Sequence, residues 1–166
     1  MLLGEYENKK YFGYFTGCYL SALINGSKEQ DFKIFTNYLI KTIDCIGYKN
    51  RKNIDVNGNA GRLVGGRMYD GKITVNGNAG SWVGWSMEGG KITINGNVGW
   101  GVGDGMKGGK ITVNGNTGER AGIGMKRGEI HLNGDYEGLA NYIHGGNIYH
   151  KDKLIVENGR KIRRKK

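Results

Sequence analysis

The sequence predicts a mainly β protein, a right-handed parallel β-helix of about five to six 19-residue coils with an N-terminal α-helical cap. Three observations predict it. From Ile54 to Gly138 the chain repeats itself in phase: IDVNGNAGRLVGGRMYDGK, ITVNGNAGSWVGWSMEGGK, ITINGNVGWGVGDGMKGGK, ITVNGNTGERAGIGMKRGE, then IHLNGDYEGLANYIHGGN, one residue shorter than the others. A short fixed period is the mark of one supersecondary unit stacked on copies of itself. Each unit opens on apolar–polar–apolar alternation (Ile54/Val56, Ile73/Val75, Ile92/Ile94, Ile111/Val113, Ile130/Leu132), which is a strand with one buried face. The columns also keep their chemistry. Glycines recur at Gly58, Gly77, Gly96, Gly115 and Gly134 and again at Gly65, Gly84, Gly103 and Gly122.

Taken in order, residues 1–26 carry the aromatic cluster Tyr11, Phe12, Tyr14, Phe15 and Tyr19, expected as a strand or short helix leading into the cap. Ser27 with Gln30 reads as a capping box and Gly47 as a left-handed stop. Between them Phe32, Phe35, Leu39, Ile43 and Ile46 recur at three- and four-residue steps, so the spacing predicts an amphipathic helix over about 28–46. Its expected work is to plug the first coil, whose open strand edge would otherwise invite aggregation. Tyr48 to Asn53 reads as an exposed link. The organisation is thus an N-terminal segment, 1–53; a β-helix, 54–157; and a basic tail, 158–166, expected to be disordered.

Within each unit the Asn-Gly dipeptide marks a turn, since both residues accept positive φ cheaply. The Gly-rich stretch after it lacks the β-branched residues of a return strand, so a coil is favoured over a hairpin. Parallel strands would stack ~4.8 Å apart, with right-handed crossovers. Met68, Met87, Met106 and Met125, continued by His144, form one inward column, and Val64, Val83, Val102, Ala121 and Ala140 another. Asn57, Asn76, Asn95, Asn114 and Asn133 align, as do Asn59, Asn78, Asn97, Asn116 and Asp135, so their amides are placed to form hydrogen-bonded ladders. Past Gly138 the repeat decays. Ile148 starts a degenerate strand, Lys153 to Val156 adds a last one, and charged residues blunt the end.

The run ITVNGNAGSWVGWSMEGGKITINGNVGWGVGDGMKGGKITVNGNTG resembles the GXGXG repeat found in one subunit of formylmethanofuran dehydrogenase and in the C-terminal domain of the glutamate synthase large subunit. The wording at Asn78 to Gly84 and Met87 to Thr93 is closer to the dehydrogenase version. The resemblance spans about half the chain. It implies a β-helical scaffold rather than a catalyst, because in both families the chemistry sits on pterin, iron–sulfur or amidotransferase parts outside the repeat. It therefore implies no catalytic residue, no metal ligand and no cofactor bound by this chain, and partners that are subunits of a redox complex of methanogenesis, with a homo-oligomer as the alternative. Met1 to Asn53 has no aligned counterpart.

Composition narrows the rest. With 166 residues the chain is one domain, and 32 Gly without Pro, set in periodic Ile/Val, describe an ordered solenoid. Two cysteines, Cys18 and Cys45, without a CxxC suggest neither a disulfide framework nor a zinc site. No apolar run is long enough for a signal peptide or a bilayer span, so a cytoplasmic protein is expected, with Asn25-Gly26-Ser27 a chance sequon. The net charge is +10, but Arg160, Lys161, Arg163, Arg164, Lys165 and Lys166 supply six of it. That tail is a candidate anion-binding segment, its grip on nucleic acid expected to fall steeply with salt.

Candidate sites follow. Gly103-x-Gly105-x-x-Gly108 fits a dinucleotide fingerprint as a string, yet a strand rather than a helix follows it, so those glycines belong to the repeat. Lys72, Lys91 and Lys110 stack as a basic stripe, read first as a solvated face and second as a docking surface for an acidic partner. Trp82, Trp85 and Trp100 suit the core badly and are expected to form an exterior protein interface. His131, His144 and His150 lack metal-ligand spacing. Ser81, Ser86 and Cys18 lack a partnered base, which disfavours a hydrolase. A non-catalytic assembly subunit leads, ahead of a glutamate-synthase-type scaffold domain and a basic nucleic-acid-binding module.

Overall fold

A computed structural model describes residues 12–162. One helix, α1 (Phe12–Gly26), precedes nine strands: β1 (Asp31–Phe35), β2 (Asn53–Asn57), β3 (Lys72–Val75), β4 (Lys91–Ile94), β5 (Lys110–Val113), β6 (Glu129–Leu132), β7 (Asn147–His150), β8 (Lys153–Glu157) and β9 (Arg160–Lys161). They form one sheet in chain order, parallel from β1 to β7 and antiparallel from β7 to β9. The result is a parallel β-solenoid of about six turns.

Register follows the apolar alternation. Ile54, Ile73, Ile92, Ile111, Ile130 and Ile148 pair in one column and Val56, Val75, Ile94, Val113 and Leu132 in the next. Both columns are buried, as are Val64, Val83, Val102, Ala121 and Ala140 and the four methionines Met68, Met87, Met106 and Met125. A slip of one residue would turn both strand columns to solvent, so the register is strongly held. A further inward column, Ala79, Val98, Thr117 and Tyr136, is joined by short parallel bridges. His144 does not continue the methionine column. The short fifth unit lacks a residue before this point, so Ile143 packs against the core and His144 is exposed.

The two asparagine columns act differently. In the first, side chains bond to one another up the stack: Asn76 Nδ2 donates to Asn57 Oδ1 (3.1 Å), Asn95 to Asn76 (2.9 Å), Asn114 to Asn95 (2.9 Å) and Asn133 to Asn114 (2.8 Å). In the second, each Oδ1 accepts the backbone N–H one coil later, as Asn97 Oδ1 does from Asn116 N at 2.8 Å. The Asn-Gly corners are not left-handed at Asn; of that glycine column only Gly58 has positive φ (+120°). Close stacking is what demands glycine there, since a Cβ on Gly77 would stand 2.5 Å from Asn59 Oδ1. Gly84 meets both demands, with φ +70° and Ile111 Cδ1 crowding the place a Cβ would take.

The predicted helix over 28–46 is absent. The helix forms earlier, at Phe12–Gly26, and Asp31–Phe35 is a strand paired parallel with β2. Phe32 and Ile34 alternate inward opposite Ile54 and Val56, so strand period two outcompetes the looser three–four spacing. The solenoid therefore begins at Asp31, and Gly47 (φ +74°) is a coil corner facing Ile73, not a helix stop. Ser27 Oγ accepts from Glu29 N (3.1 Å) just past the end of α1 instead of starting a helix. The end-plugging role falls to α1, whose Leu20 and Ile24 join the core with Ile43 and Ile46. Ser21 Oγ donates to Cys45 O (2.9 Å) and accepts from Gly47 N (3.0 Å) and Tyr48 N (3.3 Å). Asn25 Nδ2 donates to Tyr48 O (3.2 Å), so the sequon side chain is engaged in this docking. Tyr11 lies outside the described residues.

At the other end β7 continues the parallel stack and β8 turns back on it. The tail expected to be disordered from 158 begins as a strand: Arg160 and Lys161 pair with Glu157 and Val156. Arg163, Arg164, Lys165 and Lys166 lie outside the described residues.

Candidate functional site

The corner after the second asparagine column is built from residues in an uncommon backbone conformation. Leu63 (φ +60°), Trp82 (+61°), Gly101 (+74°) and Arg120 (+62°) occupy equivalent places in four successive coils. Hydrogen bonds to the next coil hold the first three, Leu63 N to Ser81 O (3.0 Å), Trp82 N to Trp100 O (3.0 Å) and Gly101 N to Glu119 O (2.9 Å). Left-handed non-glycine residues cost about 1–3 kcal/mol each and tend to cluster where function needs them. Glycine would fit more cheaply at Trp82, so the indole is held there against a local cost.

That backbone aims the rings at one another. Trp82 and Trp100 lie 4.2 Å apart by centroid at 62°. Arg62 stands 5.6 Å from the Trp82 ring and Arg120 5.8 Å from the Trp100 ring. Arg62, Trp82, Trp100 and Arg120 thus form a cation–aromatic–aromatic–cation stack running up four coils. Exposed cation–π contacts contribute about 0.5–1 kcal/mol each. Trp85 makes a parallel pair with Arg67 at 5.2 Å. Trp100 is 39% exposed, and Trp82 and Trp85 are half-buried. All three keep part of their surface at the exterior, and the arginine partners are what sequence reasoning missed. The signal for them was present as arginines recurring beside tryptophans of the neighbouring unit.

Beside Trp100 an open groove of about 790 Å³ crosses three coils, lined among others by Asn97, Asn116, Glu119, Arg120, Asp135, Tyr136 and Glu137. Lys151 Nζ holds Asp135 Oδ1 at 3.0 Å. Asp104, one coil beyond Trp85 in the same column, has its carboxyl pushed above the usual range by burial.

The lysine column forms as expected, Lys72, Lys91 and Lys110 in register and continued by Glu129. Lys110 Nζ reaches Glu129 Oε2 at 3.5 Å, which relieves the like-charge stacking at one end. No hydrogen bond, ion pair or ring contact among the described residues joins this column to the tryptophans. His131 stacks on Tyr149 (4.5 Å, 17°) and its Nε2 lies 3.0 Å from Glu129 Oε2. Gly103 and Gly105 are left-handed coil corners, as the repeat requires. Among the described residues there is no cluster of three or more His, Cys, Asp or Glu placed to hold a metal ion, and no helix long and apolar enough to cross a membrane. Comparison with known protein families finds no matching family model, and no curated protein matches the chain.

Proposed function

We propose that this chain is a non-catalytic assembly subunit whose Trp–Arg corner docks a partner protein. The arginine-bracketed Trp82–Trp100 stack carries the reading. Trp and Arg are the residues that dominate binding energy at protein interfaces. A stacked solenoid supplies the rigidity, so little ordering cost is incurred on docking. The GXGXG wording of the repeat favours the subunits of a molybdenum or tungsten redox complex, of the formylmethanofuran dehydrogenase type, as the partners, with a cytoplasmic setting. A glutamate-synthase-type scaffold is the nearest alternative. The lysine stripe of Lys72, Lys91 and Lys110 serves in this reading as solvated surface.

Purification of the tagged full chain from its native source tests it. Co-purifying proteins that contain molybdenum, tungsten or iron–sulfur clusters are expected. Trp100→Ala with Arg120→Ala should weaken their retention by about 2 kcal/mol or more, roughly thirtyfold. Nucleic acid as the co-purifying partner, released as salt is raised, would overturn the reading in favour of a basic binding module.

A further inference from the structure

The fold brings together two cysteines that the sequence keeps apart. Gly17 lies so close to the first coil that a Cβ there would overlap Asp44 O, and Ser21 holds the carbonyl of Cys45. Cys18 sits between these two contacts. Those contacts set Cys18 beside Cys45, and the Cys18 thiol is among the groups that raise the pKa of both Cys45 and Tyr14. Both cysteines are free; Cys18 is half-buried and Cys45 is 1% exposed.

We infer that Cys18 and Cys45 form a dithiol modification site, oxidised by low-molecular-weight disulfides, that staples α1 onto the first coil. Cys18 is the entry point because it alone reaches solvent. Its thiolate attacks one sulfur of the small disulfide, forming a mixed disulfide and releasing one small thiol, which takes up a proton. Cys45 then gives its proton to water and attacks the Cys18 sulfur, expelling the second small thiol. Two protein thiols become one disulfide and one small disulfide becomes two thiols, with no other oxidant needed. Burial, and then the neighbouring Cys18 thiol, push the Cys45 thiol up to about 12, so the second step is slow and proceeds through opening of α1. The staple secures the plug over the open end of the solenoid. It is independent of the Trp–Arg corner and stands or falls separately from the docking reading.

The full chain, reduced and then incubated with oxidised glutathione, tests this by intact mass, peptide mapping and melting. A monomer lighter by two hydrogens is expected, with a Cys18–Cys45 linked peptide, slower chymotryptic cleavage at Phe15, Tyr19 and Leu23, and a Tm raised on the order of 5–10 °C. Cys18→Ser, a change at the partly exposed partner, should fold and lose all four effects. Persistent free thiols, a lasting glutathione adduct on Cys18, disulfide-linked dimers, or a linkage that changes neither cleavage nor melting would each overturn it.

Discussion

Glu129 shows how a single column position changes character along the stack. Where three coils carry lysine, the fourth carries a carboxylate that accepts from His131 at 3.0 Å and meets Lys110 at 3.5 Å. The His131 hydrogen bond, reinforced by the Lys110 charge, holds its carboxyl below the usual range of about 4.3. A depressed folded-state pKa gives stability that is present above the unfolded value and is lost as pH falls through the folded one. The side chain is 42% exposed, so solvent screening keeps the contribution small. His131→Phe keeps the stack on Tyr149 and removes the bond. The expected result is that the Glu129 carboxyl titrates at higher pH by NMR. In urea titrations over a pH series, the stability gap between the two proteins should close below about pH 4. An unchanged Glu129 titration would show that the field of Lys110 alone sets the shift.

At the scale of elements, α1 is the piece that most needs its partner. Its outer side carries Phe15 (65% exposed), Tyr19 (68%) and Leu23 (55%), and its inner side Gly17, Ser21 and Ile24. The small residues inside let the helix backbone approach the first coil, so Gly17→Leu should lift it off. The expected outcome is loss of amide protection in α1 and β1, with new ANS binding, while β4 and β5 stay protected. Protection unchanged in α1 would mean the docking absorbs the larger side chain. This same inversion explains what the sequence left hidden. Phe15, Tyr19 and Leu23 face outward on α1 while Gly17 and Ser21 sit inward beside Leu20 and Ile24, so helical periodicity was faint there and a false version of it appeared over Phe32 to Ile46. The repeat from Ile54 onward was legible because every coil answers to the same neighbours. The candidate site was half legible: tryptophans stand out by type, whereas Arg62, Arg67 and Arg120 acquire meaning only once adjacent coils are stacked. The proximity of Cys18 to Cys45 depended on placing α1 and was out of reach.

The whole molecule behaves as a line of units, each touching only its neighbours, so where a defect falls should matter as much as its size. The methionine column is what links one unit to the next. Met87 Cε reaches 2.7 Å from where a Cβ on Gly109 would stand, and Met125 Cε 2.5 Å from the same point on Gly146. Each methionine thus fills space beneath the following coil, and Met→Ala removes a packed contact between coils at about 2–5 kcal/mol. The two ends of the line are closed differently, by α1 at one and by the antiparallel β8 and β9 at the other. Met87→Ala breaks the line near its middle, leaving on either side about three coils, the least that such arrays need to stand. It should therefore lower the urea midpoint of a single transition with unchanged slope, and raise exchange in β3 to β6 alike. Met125→Ala acts beside the C-terminal closure, where β6 to β9 can open while the rest stays stacked. It should instead split or broaden the transition and confine rapid exchange to β6 onward. Identical unfolding curves for the two variants would mean the solenoid folds as one indivisible block, and nearest-neighbour coupling would no longer describe it.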